Sequence, residues 1–280
     1  MTKALMIQGT SSGAGKTTLV TALCRIFSDE GYRVAPFKSQ NMSSYSYKKS
    51  NFEISRAQAI QAVAARTDID PHMNPILLKP MGDYKSEVFV KGKFYKKMHA
   101  DDYYKKFALT KGLAAAKESL DYLLDRYELI ILEGAGSPAE INLAKYDIAN
   151  MRMAKYCSAP VILVTDIDKG GSFASIMGTL SILEGQYRKF IKGFVINKFR
   201  GDIEILRPSF SYLKNKTGKP VLGTIPLLEF DIPEEDSLHV KPRQVSWTGK
   251  YLRSLNKEIE YLSRIVRSSL NMKAIGDLLD

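Results

Sequence analysis

The sequence predicts a three-layer α/β/α domain of the α/β class, built around a mostly parallel sheet. Short apolar runs rich in Val, Ile and Leu alternate along the chain with longer segments of helical periodicity. The apolar runs do not alternate with polar residues, so each strand should be covered on both faces, as in parallel sheets. Right-handed crossovers between such strands place helices on both sides of the sheet. With 280 residues, the chain can bury a sizeable core.

Six apolar runs define the predicted strands, at residues 4–8, 33–37, 129–133, 161–166, 193–197 and 221–225. Helical patterns predict helices over residues 16–29, 53–65, 101–126, 148–156, 172–184 and 203–216. A predicted hairpin around residues 76–79 and 87–90 interrupts this alternation. Together these elements form one predicted domain, residues 1–240.

The pattern changes after residue 240. Residues 241–249 contain Pro242 and Gly249 and are typical of a linker. Apolar residues then recur at three- and four-residue intervals, at Leu252, Leu255, Ile259, Leu262, Val266 and Leu270. This spacing predicts an amphipathic helix within a second region, residues 241–280. The apolar stripe either packs on its own domain or forms a docking surface for another domain or subunit.

Composition restricts the class of protein. The net charge of +11 reflects either a solvated, lysine-rich surface or the attraction of a polyanion such as ATP, nucleic acid or a polycarboxylate. The basic residues do not form one stripe interleaved with aromatic residues, so nucleic acid is not expected as a partner. The N-terminus leads directly into a strand, and no apolar run approaches the roughly 18 residues of a membrane span. We therefore expect a cytoplasmic protein without a membrane partner.

Residues 9–18 read Gly-Thr-Ser-Ser-Gly-Ala-Gly-Lys-Thr-Thr, between a predicted strand and a predicted helix. A phosphate-binding loop needs this context, because glycines let backbone N–H groups surround phosphate oxygens. Lys16 adds a positive charge, and the hydroxyl of Thr17 can bind Mg²⁺. Five residues separate Gly9 from Gly15, one more than usual, and in this the loop resembles the dethiobiotin synthetase branch of P-loop proteins. The predicted nucleotide-binding residues of the loop are Gly9, Thr10, Ser12, Gly13, Ala14, Gly15, Lys16, Thr17 and Thr18.

Two glutamates are candidate metal ligands. Glu133 ends a buried strand before a glycine turn, at the edge where open parallel sheets bind ligands, so it could hold Mg²⁺ or a metal-bound water opposite Thr17. Glu53 has two interpretations. With Ser50 it matches a capping box for the helix over residues 53–65. Alternatively it is a second Mg²⁺ ligand, and Arg56 holds a substrate carboxylate.

Polar residues follow three further strands. Lys38 comes just after the second strand and therefore reaches the ligand edge as well. Asp166 and Asp168 could bind metal, orient a substrate amine or repel a wrong ligand, or else cap the next helix beside a glycine turn. Asn197 ends another strand, and its side-chain amide suits either an adenine edge or a cap of its own loop.

Taken in order, several segments closely resemble the cobyric acid synthase family, the glutamine-dependent amidotransferases of the cobalamin pathway. The matching segments are 9–17, Lys38-Ser-Gln-Asn-Met42, 53–62, Met73-Asn-Pro-Ile-Leu-Leu-Lys-Pro80, 133–142, 166–171, Asn197-Lys-Phe-Arg-Gly-Asp202 and 232–238. The resemblance implies ATP and Mg²⁺ as cofactors. It also implies ATP-dependent amidation of the b, d, e and g carboxylates of adenosylcobyrinic acid a,c-diamide, through an acyl phosphate, to give adenosylcobyric acid. A polycarboxylate substrate would suit the positive net charge.

On this interpretation the candidate site residues have distinct roles. The predicted catalytic residues are Lys16, Lys38, Glu133, Asp166 and Asp168. The predicted metal ligands are Thr17, Glu53 and Glu133, and the predicted substrate-binding residues are Gln40, Asn41, Arg56 and Gln58. Asn197 joins the loop residues in nucleotide binding.

The chain departs from the family in one respect. Family members usually carry a C-terminal class I glutaminase domain with a Cys nucleophile, whereas neither cysteine here follows residue 157. We therefore expect ammonia from a separate glutaminase subunit or from solution, unless the sequence is a fragment. The expected partners are a corrinoid polycarboxylate, a glutaminase subunit docked on the stripe from Leu252 to Leu270, and a second copy of the chain.

Three alternative functions stay open at this point. Cobyrinic acid a,c-diamide synthase and a dethiobiotin-synthetase-like ligase would use similar chemistry. A P-loop regulatory ATPase belongs to another class, and such proteins often carry a second loop lysine near the position of Ser11.

Overall fold

The computed structural model describes residues 2–49, 51–232 and 245–280. Ser50, residues 241–244 of the predicted linker and residues 233–238 of the last matching segment lie outside the described residues. In chain order the strands are β1 (Lys3–Gly9), β2 (Val34–Phe37), β3 (Gln40–Met42), β4 (Ser46–Lys49), β5 (Phe52–Ser55), β6 (Ile76–Gly82), β7 (Lys85–Val90), β8 (Lys93–His99), β9 (Leu129–Glu133), β10 (Val161–Asp166), β11 (Ile191–Phe199) and β12 (Val221–Pro226).

The helices are α1 (Lys16–Asp29), α2 (Arg56–Ala64), α3 (Ala100–Asp102), α4 (Leu113–Leu124), α5 (Met151–Tyr156), α6 (Ser172–Ile182), α7 (Gly185–Arg188), α8 (Arg207–Thr217), α9 (Gly249–Ser269) and α10 (Met272–Gly276). A π-helical segment, Tyr103–Gly112, joins α3 to α4, so the helix predicted over residues 101–126 is one continuous helical stretch. Single 3₁₀ turns occur at Pro71–Met73, Ala144–Tyr146 and Ile203–Ile205. No helix in the described ranges is long and apolar enough to span a bilayer.

The main sheet contains six parallel strands in the order β12-β11-β10-β1-β9-β2. One face is covered by α1, α2 and α9, and the other by α4, α5, α6 and α8. The predicted three-layer α/β/α class with a mostly parallel sheet is therefore confirmed. All six predicted strands are present, because buried parallel strands are continuous apolar runs that the sequence displays directly.

The C-terminal helix α9 belongs to the core of this sheet. Leu255, Ile259, Leu262 and Val266 are all buried against α1 and the main strands. The stripe therefore packs on its own domain. Its predicted use as a docking surface for a glutaminase or another subunit is wrong, since the apolar side chains are already covered.

A second, smaller sheet extends from the end of β2. Its order is β3-β6-β7-β8, with β3 parallel to β6 and the other pairs antiparallel. The predicted hairpin is present as β6 and β7 and continues into β8, which the sequence did not indicate.

The hairpin β4–β5 replaces the predicted start of the second helix. Glu53 lies in β5, and its backbone N–H donates to the carbonyl of Gly92 at 2.8 Å. Helix α2 begins only at Arg56, where the hydroxyl of Ser55 caps it by accepting from the N–H of Ala57. The capping-box interpretation of Glu53 is therefore wrong, because a residue paired in a strand cannot cap that helix.

Candidate nucleotide-binding site

The loop between β1 and α1 contains backbone conformations that only glycine adopts readily. Gly13 and Gly15 have φ values of 72° and 102°, in the left-handed region. A Cβ atom at Gly15 would lie 1.9 Å from Nδ2 of Asn197. The amide of Asn197 itself donates to the carbonyl of Ala14 at 3.0 Å. The end of β11 therefore presses on the loop, and the glycine at position 15 makes that approach possible.

Lys16 lies folded over the loop. Its ammonium donates to the carbonyls of Ser11 at 3.0 Å and Gly136 at 2.9 Å, and the residue is 6% exposed. These carbonyls hold the positive charge of Lys16 between the loop and the glycine turn after β9. A phosphate bound there would meet both the N–H donors and the ammonium.

Glu133, at the end of β9, is the centre of a buried polar cluster. Its Oε1 accepts from the hydroxyl of Thr17 at 2.8 Å and from the ammonium of Lys38 at 2.9 Å. Its Oε2 accepts from Nε2 of Gln61 on α2 at 2.5 Å. The residue is only 1% exposed. The structure thus brings together Thr17, Lys38 and Glu133, three residues singled out in the sequence.

This cluster fits a hard cation. Thr17 uses its hydroxyl hydrogen on Glu133, so its oxygen can serve only as an acceptor for a further partner, as a ligand of Mg²⁺ must. Mg²⁺ in nucleotide sites is usually held by one or two protein oxygens together with phosphate oxygens. Thr17 and Glu133 supply oxygens of that kind beside the loop.

The structure places Glu53 in a different cluster. Its carboxylate accepts from the hydroxyl of Ser46 and the ammonium of Lys79, and Lys48 lies 3.4 Å away. Burial alone would raise the pKa of Glu53, but the hydrogen bonds from Lys79 and Ser46 and the nearby lysine charges lower it overall. Among the described residues, none of the contacts of Glu53 reaches Thr17. The structure therefore does not group Glu53 with the other predicted metal ligands, because its charge is balanced by lysines of β4 and β6.

The predicted substrate-binding residues lie beside the cluster of Glu133. Nδ2 of Asn41 donates to the hydroxyl of Ser55 and to Oε1 of Gln58, both at 2.8 Å. Arg56 stacks on the ring of Tyr45 at 4.3 Å. These residues come from β3 and from the start of α2.

Gln40 lies in β3 of the second sheet and contacts the π-helical segment. Its Oε1 accepts from the hydroxyl of Tyr103 at 2.7 Å. Gln40 therefore also links the predicted substrate-binding segment to the π-helical segment Tyr103–Gly112.

Asp166 and Asp168, at and just after the end of β10, pair with basic side chains, one of which also contacts the loop. Lys198 donates to Oδ2 of Asp166 at 2.8 Å and to the carbonyl of Gly13 at 2.9 Å. Arg200 pairs with Asp168 at 3.1 Å. Helix α6 is preceded by Gly171 and has no side-chain cap, so the helix-capping interpretation of both aspartates is wrong.

Sequence reasoning missed two residues of the site. Lys198 is one: only its neighbour Asn197 was assigned a role from the sequence, although both residues lie near the end of β11. Gln61 could have been found from its spacing, since Gln58 and Gln61 lie three residues apart on α2 and therefore share one helix face.

The parallel sheet, the glycine loop before α1, the folded Lys16 and the Thr17–Glu133 contact define a P-loop nucleotide-binding domain. Residues 5–238 match the CobQ/CobB/MinD/ParA nucleotide-binding domain family, and the chain belongs to that family.

Two relatives illustrate the similarity in sequence. A probable cobyric acid synthase of Thermococcus onnurineus is 54% identical over 246 residues, which cover 87% of this chain and 50% of the relative. The cobyric acid synthase of Nostoc punctiforme is 49% identical over 264 residues, covering 94% of this chain and 53% of the relative. The chain thus spans about half the length of the curated relatives it matches.

Among solved structures, apo McdA of Cyanthece superposes with a TM-score of 0.51 at 13% identity, over 100% of both chains. At this identity the similarity shows a shared fold.

Proposed function

We propose that this chain is an ATP-dependent amidoligase of corrinoid synthesis. It would convert the b, d, e and g carboxylates of adenosylcobyrinic acid a,c-diamide to amides, giving adenosylcobyric acid. The observation that carries the proposal is the contact of Thr17 and Lys38 with buried Glu133 beside a phosphate-binding loop, in a chain about half identical to cobyric acid synthases. The same similarity supports the proposed carbon–nitrogen ligase activity.

The loop would bind the phosphates of ATP, and Asn197 would contact the base. Nδ2 of Asn197 already donates to Ala14, so its carbonyl oxygen is the group that can accept from the amino group of adenine. Thr17 and Glu133 would hold Mg²⁺, which would neutralise charge on the phosphates of ATP. Lys198 keeps the loop in place by holding the carbonyl of Gly13.

The proposed reaction has two steps. A corrin carboxylate oxygen attacks the γ-phosphorus of ATP, the bond to ADP breaks, and an acyl phosphate forms. Lys16 neutralises charge on the transferred phosphoryl group, and Lys38 and Arg56 orient the carboxylate. Ammonia then attacks the acyl carbon, the carbon–oxygen bond to phosphate breaks, and phosphate carries away the proton lost from nitrogen.

Ammonia is the expected nitrogen donor for this chain by itself. Glutaminases of class I need an activated Cys nucleophile. The two cysteines of this sequence are Cys24, which is buried, and Cys157. Burial raises the pKa of both thiols, that of Cys157 to about 11, so both are protonated at neutral pH. In the cell the ammonia would come from a glutaminase or from solution.

Amidation with ammonium tests the proposal. The purified chain is incubated with ATP, Mg²⁺, ammonium chloride and cobyrinic acid a,c-diamide, and the corrinoid is analysed by mass spectrometry. We expect successive mass decreases equal to the difference between a hydroxyl and an amino group, and no product when glutamine replaces ammonium.

Three outcomes would contradict the proposal in different ways. Amidation only of cobyrinic acid, at its a and c carboxylates, would favour the diamide synthase. ATPase activity stimulated by DNA and not by a corrinoid would favour a regulatory ATPase. Product formed with glutamine alone would overturn the assignment of the nitrogen donor.

A further inference from the structure

Three buried amide side chains connect the predicted substrate-binding segment to Glu133. We propose that Gln61 is a positioning residue that fixes the carboxylate of Glu133 for Mg²⁺-dependent nucleotide binding, and that Gln58 and Asn41 fix Gln61. The inference rests on the proposed function, because it assigns Gln61 a role at the same magnesium-dependent site.

The connection consists of consecutive hydrogen bonds. Nδ2 of Asn41 donates to Oε1 of Gln58 at 2.8 Å, and Nε2 of Gln58 donates to Oε1 of Gln61 at 3.3 Å. Nε2 of Gln61 then donates to Oε2 of Glu133. Gln58 and Gln61 are completely buried, and Asn41 and Glu133 are nearly so. We call these three amides the amide relay.

The charge of Glu133 sets the direction of the whole relay. An ionised carboxylate only accepts hydrogen bonds, so Gln61 must turn its NH₂ group toward Glu133 and its carbonyl oxygen toward Gln58. Gln58 must then turn its own NH₂ group toward Gln61 and its oxygen toward Asn41. Each amide is therefore held in one of its two orientations by its neighbour.

This arrangement fixes Glu133 from both sides. Oε1 is held by Thr17 and Lys38, and Oε2 is held by Gln61. The plane of the carboxylate is consequently determined before any cation binds. Partners of a metal-binding carboxylate orient it in this way, and their removal typically costs 10–100-fold in metal affinity or activity.

A purely structural role would have a different signature. If these buried amides only complete the core, replacing one should lower the stability of the protein. The replacement should then change the affinity for nucleotide by the same factor with and without Mg²⁺. A positioning role should affect the Mg²⁺-dependent part of binding specifically. The ratio between the affinities for ADP with Mg²⁺ and with EDTA separates the two.

The test compares substitutions at Gln61 by isothermal titration calorimetry with ADP, in Mg²⁺ and in EDTA. Gln61→Met keeps the length and loses the donor, and we expect the affinity ratio to fall by about 10-fold or more. Gln61→His can donate again from its Nε2, and we expect it to recover part of the ratio. Gln186→Met is the matched control, because exposed Gln186 also donates to a carboxylate, that of Glu184 at 2.6 Å, and we expect no change.

A second variant protects the test against misfolding. Gln58→Met leaves Gln61 beside Glu133 but removes the group that orients it, so we expect a smaller loss of the same ratio. The inference is overturned if folded Gln61→Met keeps the wild-type ratio, or, should that variant not fold, if Gln58→Met keeps it. A wild-type chain whose ADP affinity does not depend on Mg²⁺ would instead contradict the proposed function.

Discussion

Replacing Glu133 by Gln should destabilise the protein as well as abolish Mg²⁺-dependent turnover. The carboxylate of Glu133 and the ammonium of Lys38 lie 2.9 Å apart, with side chains 0% and 5% exposed. Removing one charge of such a buried pair typically costs about 3–5 kcal/mol, because the remaining charge loses its counterion in a poorly solvated place.

The expected magnitude lies at the lower end of that range. Glutamine keeps one carbonyl oxygen that can accept from Lys38 and Thr17. Its new NH₂ group, however, would face the NH₂ group of Gln61, donor against donor. We therefore expect Glu133→Gln to lower the free energy of unfolding by about 3 kcal/mol.

Urea unfolding followed by circular dichroism measures this loss in wild type, Glu133→Gln, Lys38→Met and the double variant. The double variant removes both charges, so it should be more stable than Glu133→Gln alone while remaining inactive. A Glu133→Gln protein within about 1 kcal/mol of wild type would refute the reasoning. The reasoning would also be refuted if the double variant lost as much free energy of unfolding as the two single variants together.

Three further predictions concern the loop, the C-terminal helix and the β4–β5 hairpin. Lys16→Ala should slow amidation by ~10²–10³ because it removes charge stabilisation in phosphoryl transfer, and near-normal turnover of a folded variant would contradict this. Leu262→Ala should lower the free energy of unfolding by about 2–5 kcal/mol, whereas a docking role for α9 predicts almost no loss in urea unfolding. The lowered pKa of Glu53 gives stability that is present above its ordinary value of 4.5 and lost as pH falls below it. The stability difference between wild type and Glu53→Gln in urea should therefore shrink between pH 6 and pH 3, and a constant difference would contradict the prediction.

The predictable parts of the fold are those that a single local sequence pattern determines. The strands of the main sheet are buried on both faces, so their apolar runs show them directly. Helix α1 was predicted with its observed bounds, because the glycine loop marks its start and a 3.6-residue pattern marks its length.

The missed elements are short, polar and held by distant partners. Gln40–Met42 and Phe52–Ser55 become strands only through pairing with β6 and β4, which a local pattern cannot show. For the same reason Glu53 resembled a helix cap in the sequence, although backbone pairing with β4 and Gly92 places it in a strand.

The candidate site was predictable where residues end parallel strands. Glu133 ends β9, Lys38 follows β2 directly and Asn197 lies near the end of β11. The common edge of the sheet brings all three to the loop. The contact between Gln61 and Glu133 could not be predicted, because it depends on how α2 packs on β9. Likewise, the sequence could not show that the apolar stripe of α9 packs on α1, because this depends on the tertiary arrangement of the helices.

The position of α9 also affects how the protein is made on the ribosome. Arg25 on α1 bonds to Asn256 on α9 at 2.6 Å, across 231 residues of sequence. At about 5–20 residues per second, the ribosome needs on the order of tens of seconds to synthesise that interval. Throughout it, helix α1 of the nascent chain lacks its contacts with α9. The ability to bind nucleotide should therefore appear late in translation, and a stalled or early-terminated chain should be a substrate for chaperones.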